Sequence, residues 1–257
     1  MLIELPIVIF LGLVFGSFAT ALSYRLPRGI SIASQKRSQC PSCDRDLSFL
    51  DLVPVFSWLF LKGKCRFCKA SIGVRYPLIE LATLCLCLVF YFVYGFSFES
   101  LLIIILAPVL ISIIDIDLNY KIIPDGLNLS IFLIGVLSFL LSAYLDGSRD
   151  FFIDSFIDSV GGLLMYGLGS LFIRQIFMWL MKREPMGLGD IKFFAAVGFW
   201  LGMSLNSLSL FMIVSGLFGV LLALTWKKIT GEEEFPFGPA LVFGFISVLC
   251  FFPQGYV

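Results

Sequence analysis

Long apolar segments alternate with short polar segments along almost the whole chain. A helix needs roughly 20 apolar residues to cross the hydrocarbon core of a bilayer, with a range of about 17–25. Eight segments span or nearly span that thickness, and the short segment 191–203 is expected to be tilted or sheltered by protein. The pattern predicts an all-α polytopic membrane protein with about eight transmembrane helices. The eight segments are 2–24, 77–96, 99–116, 127–145, 156–181, 191–203, 205–226 and 237–253.

The composition supports a lipid environment. Hydrophobic residues make up 59% of the 257 positions and charged residues 14%, whereas a soluble domain carries about 25% charged residues. A water-soluble fold cannot hide this much apolar surface, so we expect a lipid bilayer to cover part of it. The formal net charge is zero, and it gives no indication of a nucleic-acid partner.

The absence of histidine from the sequence restricts the chemistry that the chain can perform. Ser–His and Cys–His nucleophile pairs are excluded, together with the commonest general base. Acid–base chemistry near neutral pH must therefore come from carboxylates, Lys, Tyr, Cys or a bound metal.

Basic residues are concentrated in alternate polar segments. Ten of the 18 Lys and Arg residues lie in 25–76, and only Arg149 falls in a segment predicted to face outward. Because cytoplasmic loops carry an excess of Lys and Arg, we predict that the N-terminus lies outside. Glu4 stands where a signal peptide carries its basic region, so the first apolar segment is expected to remain as a membrane helix. The predicted inner segments are 25–76, 117–126, 182–190 and 227–236.

The long inner segment contains two CxxC pairs, at 40–43 and 65–68. A two-residue spacer lets one tight turn present both sulfurs, and zinc prefers four thiolates in a tetrahedron. Two disulfides or unpaired cysteines are the alternatives, although disulfides are disfavoured on a reducing cytoplasmic face. We therefore predict a small cytoplasmic zinc-ribbon-like domain between the first two membrane helices, with a structural Zn²⁺. Its ligands would be Cys40, Cys43, Cys65 and Cys68.

Two acidic clusters are predicted to reach the inner membrane surface. Asp115 and Asp117 end the third apolar segment, and Asp190 opens the sixth behind Gly187 and Gly189. Glycine lets a backbone approach closely and adopt positive φ, so an extended peptide could lie beside Asp190. A role for Asp190 in capping its own helix is the alternative. Residues two apart on a helix point to nearly opposite faces, so only one of the first two aspartates is expected to face Asp190.

A pair of neighbouring carboxylates can perform hydrolysis without histidine. Two carboxylates about 3 Å apart cannot both ionise, and they share one proton. The ionised group can activate water while the protonated group polarises a carbonyl. The sequence therefore favours an aspartyl protease. In addition, Asp125 follows Pro124 and is expected to cap the next helix.

Nine short motifs are spread over nearly the whole chain. They are 16–18, 24–27, 37–43, 54–58, 65–68, 75–80, 117–125, 187–192 and 236–239. Together, and in this order, they resemble the motifs of bacterial prepilin peptidases, the type IV leader peptidases. These enzymes are related to the wider group of membrane aspartyl proteases that carry a Gly-x-Gly-Asp signature.

The resemblance implies a reaction and a location. Such enzymes cut the basic leader from type IV prepilins or pseudopilins at the cytoplasmic face of the bacterial inner membrane. Many also methylate the new N-terminus with S-adenosylmethionine. The resemblance divides the chain into a first membrane helix, 1–24, a cysteine-rich cytoplasmic domain, 25–76, and a membrane protease domain, 77–257. No Rossmann-type glycine fingerprint in the sequence marks where the methyl donor would bind.

The resemblance also suggests residue roles. It carries the catalytic roles to Asp117 and Asp190, with Asp115 as the alternative to Asp117. Asp117 is favoured because it lies eight residues before the aspartate of the Pro-Asp pair. The residues expected to support the pair are Asp125, Gly187, Gly189 and Lys192.

The layout of charge suggests how a basic leader is attracted. Acidic residues of the inner segments could bind the leader while the membrane holds the apolar helix that follows it. The candidates are Asp44, Asp46, Asp51 and the acidic run 232–234.

Other classes of function fit parts of the pattern. A transporter or channel that uses interfacial aspartates is the main alternative, but the spans show no obvious inverted repeat and the acids cluster at one surface. A membrane scaffold with a zinc ribbon, a methyltransferase alone and a Gly-x-Gly-Asp protease with another substrate are further alternatives.

Overall fold

The computed structural model describes residues 3–32, 38–181 and 186–252. The first residue of the motif 37–43 and part of the predicted inner segment 182–190 lie outside these residues. Within the described ranges the regular structure is helical, with two isolated β-bridges and no strand. The α-helices of these ranges are α1 (Glu4–Arg25), α2 (Phe56–Phe60), α3 (Arg75–Tyr94), α4 (Phe98–Tyr120), α5 (Asp125–Asp146), α6 (Arg149–Met181), α7 (Leu188–Leu201), α8 (Leu205–Thr230) and α9 (Gly238–Phe251).

The apolar helices match the hydropathy pattern segment by segment. Six helices of the described chain, α1, α3, α4, α5, α6 and α8, are long and apolar enough to cross a membrane. The other two apolar segments form α7 and α9, which have 14 residues each. The prediction of an all-α membrane protein with a cysteine-rich segment after the first helix is confirmed. Of the about eight predicted transmembrane helices, six in the described chain have the length and apolar character to span a membrane.

One boundary differs clearly from the prediction. Helix α6 begins at Arg149 instead of near 156, so most of the predicted outer segment 146–155 is helical. The Ser148 hydroxyl accepts the Phe151 N–H at 3.2 Å. Asp150 lies in the first turn, where negative charge favours a helix. Hydropathy registers only the polarity of this stretch, and a polar stretch can extend a helix as well as end one.

Helix α4 is the most enclosed of the long helices. Inside the protein, 72% of its apolar stretch is buried, against 39% or less for the other five membrane-length helices of the described chain. It packs against α1, α3, α5 and α9. The aspartates near its C-terminal end are therefore surrounded by protein instead of lipid.

Small residues allow close contact in two helix pairs, α1 with α3 and α6 with α7. A Cβ at Gly16 of α1 would lie 2.8 Å from the Cα of Glu80, so α1 and α3 touch backbone to backbone. Helices α6 and α7 cross in the same way at Gly162 and Gly198. Such small-residue contacts are typical of membrane helix pairs. They hold the short helix α7, which carries Asp190, against the longer helices.

Candidate active site and metal centre

Asp117 lies on the side of α4 that faces the start of α9. Its side chain is 4% exposed, and its Oδ2 accepts a hydrogen bond of 2.6 Å from the backbone N–H of Gly238. A Cβ at position 238 would lie 2.8 Å from the same oxygen, so only glycine fits there without displacing the carboxylate. The first residue of α9 thus fixes the position of Asp117.

Asp115 points in a different direction and is held by a cation. Arg75, the first residue of α3, donates from Nε to Oδ1 at 2.7 Å and from Nη2 to Oδ2 at 2.6 Å. This two-point contact is the geometry in which arginine binds carboxylates best. Both oxygens of Asp115 are therefore engaged, whereas Asp117 has no basic partner among the described residues.

Asp190 lies in the first turn of α7, within electrostatic range of Asp117. Its Oδ2 accepts the backbone N–H of Gly187 at 3.1 Å, so it reaches back to the residue that precedes the helix. The capping role considered from the sequence and a role in an aspartate pair are thus compatible. The like charge of Asp117 acts on Asp190, as expected for two carboxylates that lie near each other.

The two glycines before Asp190 differ from the expectation. Neither adopts positive φ; Gly187 has φ −67° and ψ 154°. Close approach is required at Gly189, where a Cβ would lie 3.0 Å from the carbonyl oxygen of Ile123. Asn128 of α5 also donates to the Gly189 carbonyl at 2.9 Å. The close approach at Gly189 is therefore made by the protein's own link between α4 and α5.

Asp125 and Lys192 pair with each other at the edge of this site. The Lys192 ammonium lies 2.7 Å from Oδ1 of Asp125, and both side chains are at least half exposed. The expected helix cap by Asp125 is wrong by one position, because Pro124 is the capping residue and Asp125 is the first residue of α5. The pair joins the starts of α5 and α7.

Three contact residues were not assigned a role from the sequence. Gly238 and Arg75 lie in stretches that carried the family resemblance, but their partners are 121 and 40 residues away. Asn128 lies in an ordinary apolar helix and gave no signal at all. Each acts through one tertiary contact, which no local pattern reveals.

The two CxxC turns have the same backbone pattern. The N–H of the first cysteine bonds to the carbonyl five residues later, at Cys40 (3.0 Å) and at Cys65 (2.8 Å). The residue after the second cysteine has positive φ in both turns, 53° at Asp44 and 60° at Lys69. Each turn therefore presents its two sulfurs on one side.

All four sulfurs converge on one point. The ligand atoms of Cys40, Cys43, Cys65 and Cys68 lie within 4.8 Å of one another. Backbone N–H groups of Cys68 and Phe67 lower the pKa of Cys65 to about 7. The N–H of Arg45 favours the Cys43 thiolate, but burial and the neighbouring cysteines raise its pKa to about 11. A bound cation would remove this conflict, because it stabilises all four thiolates together.

Comparisons with known proteins match two regions of the chain. Residues 10–94 match the model of the bacterial peptidase A24 N-terminal domain, and 101–224 match that of the type IV leader peptidase family. The prepilin leader peptidase/N-methyltransferase of Aeromonas salmonicida is 36% identical over 83% of this chain and 71% of its own. That of Bacillus subtilis is 33% identical over 94% and 92%.

The chain belongs to the type IV leader peptidase family. A further relative, the type 4 prepilin-like proteins leader peptide-processing enzyme of Escherichia coli, is 33% identical over 93% of this chain and 90% of its own. No solved structure gives a significant match. In this leader peptidase, the cysteine cluster lies in the first matched region, and Asp117 and Asp190 lie in the second.

Proposed function

We propose that this chain removes the leader of type IV prepilins or pseudopilins with Asp117 and Asp190 as its catalytic pair, and then methylates the new N-terminus. The curated relatives are named for both activities. The observation that carries the residue assignment is the mutual position of the carboxylates. Asp117 acts electrostatically on Asp190, while Asp115 is occupied by Arg75.

The peptidase step uses one proton shared by the two carboxylates. The ionised carboxylate takes a proton from water, and the water oxygen bonds to the scissile carbonyl carbon. The protonated carboxyl gives its proton to the carbonyl oxygen, which leaves a neutral tetrahedral diol. The C–N bond then breaks. One hydroxyl of the diol gives its proton to the carboxylate that is now ionised, and the carboxyl that is now protonated gives its proton to the leaving amine. The surrounding protein strengthens the electrostatic coupling between the two carboxylates, and the reaction depends on that coupling.

Substrate approach is proposed from the cytoplasmic side of the inner membrane. Some of the acids suggested to attract the leader already pair with basic side chains of the chain itself. The Glu232 carboxylate pairs with Lys121 at 2.6 Å, and this hydrogen bond lowers its pKa. Asp51 pairs with Arg66 at 2.8 Å. Attraction of a basic leader therefore falls mainly to other acids of the inner segments, such as the exposed Glu234.

Two cofactors complete the proposed function. Zn²⁺ would be held by Cys40, Cys43, Cys65 and Cys68 and would join the two CxxC turns. S-adenosylmethionine would supply an electrophilic methyl group for the uncharged N-terminal amine that cleavage exposes. A four-thiolate shell leaves no position for water, so the zinc is proposed to be structural.

A cleavage assay with three isosteric variants tests the catalytic pair. Full-length protein in detergent is incubated with a prepilin, and the released leader is quantified. Asp117→Asn and Asp190→Asn are each expected to abolish cleavage, because each removes one half of the shared-proton pair. Asp115→Asn is expected to retain cleavage at a reduced level, since Asp115 is held by Arg75. Full cleavage by the Asp190→Asn protein would reject the mechanism, and loss confined to Asp115→Asn and Asp190→Asn would move the first role to Asp115.

A further inference from the structure

A cavity of about 430 Å³ lies where α1, the cysteine-rich segment and the start of α3 meet. This volume is within the range of about 300–1,000 Å³ that is usual for small-molecule sites. Neither Asp117 nor Asp190 lines the cavity. All of its lining residues fall inside the first matched region, 10–94, and the aspartate pair falls inside the second. The cavity is therefore a separate site that the peptidase mechanism does not use.

A carboxylate without a basic partner lies in the cavity wall. Glu80 of α3 is half-buried, and its Oε2 accepts one hydrogen bond of 2.6 Å, from the Val55 N–H. No described basic side chain pairs with it. Because moving a lone carboxylate out of water is unfavourable, the site is complementary to a positively charged ligand.

The partner of Glu80 is held in a strained conformation. Val55 has φ 63°, although a β-branched residue is rarely found at positive φ. Strain of this kind persists where the surrounding structure enforces it, and it clusters at functional sites. Here the strain directs the Val55 N–H at Glu80 and fixes the carboxylate in the wall. The motif 54–58 thus receives a role that cleavage alone does not require.

The remaining lining suits a planar ring and a carboxylate in the same ligand. Tyr24, Trp58 and Tyr76 contribute aromatic side chains to the wall. Aromatic faces bind both flat heterocycles and cations. Arg25 is nine-tenths buried in the same wall and supplies a positive charge. The lining therefore combines an anionic, a cationic and an aromatic part.

We propose that this cavity is the S-adenosylmethionine site of the chain and that Glu80 is the anionic group that favours its sulfonium charge. The inference rests on the methyltransferase part of the proposed function. The ligand has the three matching parts, namely a sulfonium cation, an adenine ring and an amino-acid carboxylate. The site adjoins the metal centre, because Cys40 and Cys65 also line the cavity.

Ligand binding tests the site independently of catalysis. Equilibrium dialysis of the full-length protein in detergent measures the affinity for labelled S-adenosylmethionine and for S-adenosylhomocysteine, whose sulfur is uncharged. Glu80→Gln keeps an acceptor for the Val55 N–H but removes the charge. We expect it to weaken S-adenosylmethionine binding by about tenfold or more, with a smaller effect on S-adenosylhomocysteine. Ala21→Phe, which adds volume inside the cavity, is expected to weaken the binding of both.

A matched control and a second assay separate the possible failures. Asp154→Asn makes the same change of charge at an exposed position of α6 and is expected to bind like the wild type. Wild-type affinity in both Glu80→Gln and Ala21→Phe would overturn the site. No binding of S-adenosylmethionine by the wild-type protein would overturn both the site and the methyltransferase proposal. Cleavage of prepilin by the same preparations reports separately on the aspartate pair.

Discussion

At the scale of single residues, the candidate active site depends on backbone groups that hold two carboxylates. Gly238 donates to Asp117, and Gly187 donates to Asp190. Among the described residues, the Gly238 N–H is the hydrogen-bond donor that holds the Asp117 carboxylate, and it sets the direction of that group. A carboxylate that must share a proton has to be positioned closely, because a shift of about 1 Å can reduce a rate about 100-fold.

Substitution of Gly238 by alanine is expected to reduce prepilin cleavage by about 100-fold. The new methyl group would lie 2.8 Å from Oδ2 of Asp117 and would displace the carboxylate from its present position. The measurement is the initial rate of leader release. Gly126→Ala is the matched control, because a Cβ at Gly126 meets open space. Equal rates in the two variants would show that the contact with Gly238 does not position Asp117.

At the scale of helices, an ion pair joins the start of α3 to the end of α4. Arg75→Leu leaves the Asp115 carboxylate buried without its cation. We expect a loss of roughly 1–3 kcal/mol of stability. The loss is smaller than for a fully buried pair because the Arg75 side chain is 38% exposed. Thermal unfolding in detergent measures the effect. The double variant Arg75→Leu/Asp115→Leu is expected to recover most of the lost stability, because it no longer buries an unpaired carboxylate. If the double variant is no more stable than Arg75→Leu, the ion pair has no structural role.

The cysteine-rich segment offers a second prediction at this scale. We expect about one zinc per chain in the purified protein, since four thiolates form one closed tetrahedral site. Cys65→Ser is expected to lose the zinc and to make the segment 38–73 sensitive to protease. Cys250→Ser, a change in α9 remote from the cluster, is the control and is expected to keep the metal. Elemental analysis and limited proteolysis provide the two readouts, and equal zinc loss in both variants argues against this site.

The same scale shows which parts of the structure the sequence can predict. Apolar length identified all eight hydrophobic helices, because the requirement to cross a bilayer acts on each helix separately. Spacing identified the CxxC turns because each turn is formed by a few consecutive residues. In contrast, the contacts of Asp115 with Arg75 and of Asp117 with Gly238 join positions 40 and 121 residues apart. Periodicity places the two aspartates on opposite faces, but only packing decides which face meets α7.

At the scale of the whole molecule, two sites lie in separate parts of one chain and are connected through α3. Its first residue, Arg75, binds Asp115 on the helix that carries Asp117, and Glu80 lies in the cavity wall one and a half turns later. A chain that cuts a leader and then methylates the new amine needs both sites on the same side of the membrane. The positive-inside rule predicts that arrangement, because it places the basic segment 25–76 and the polar ends that carry the aspartates on one side.

The orientation of the molecule gives a last prediction. Ser148 lies in the link between α5 and α6, and Glu233 lies between α8 and α9. An odd number of membrane crossings separates these links if α6, α7 and α8 all cross, so the two links should face opposite sides. Because Lys227 and Lys228 flank the second link, the positive-inside rule places Glu233 in the cytoplasm. A membrane-impermeant maleimide should therefore label Ser148→Cys in intact cells and Glu233→Cys only after permeabilisation, with the wild-type chain measuring the labelling of native cysteines. The reverse pattern would put the CxxC turns and the aspartate pair on the outer side, where a cytoplasmic methyl donor cannot reach them.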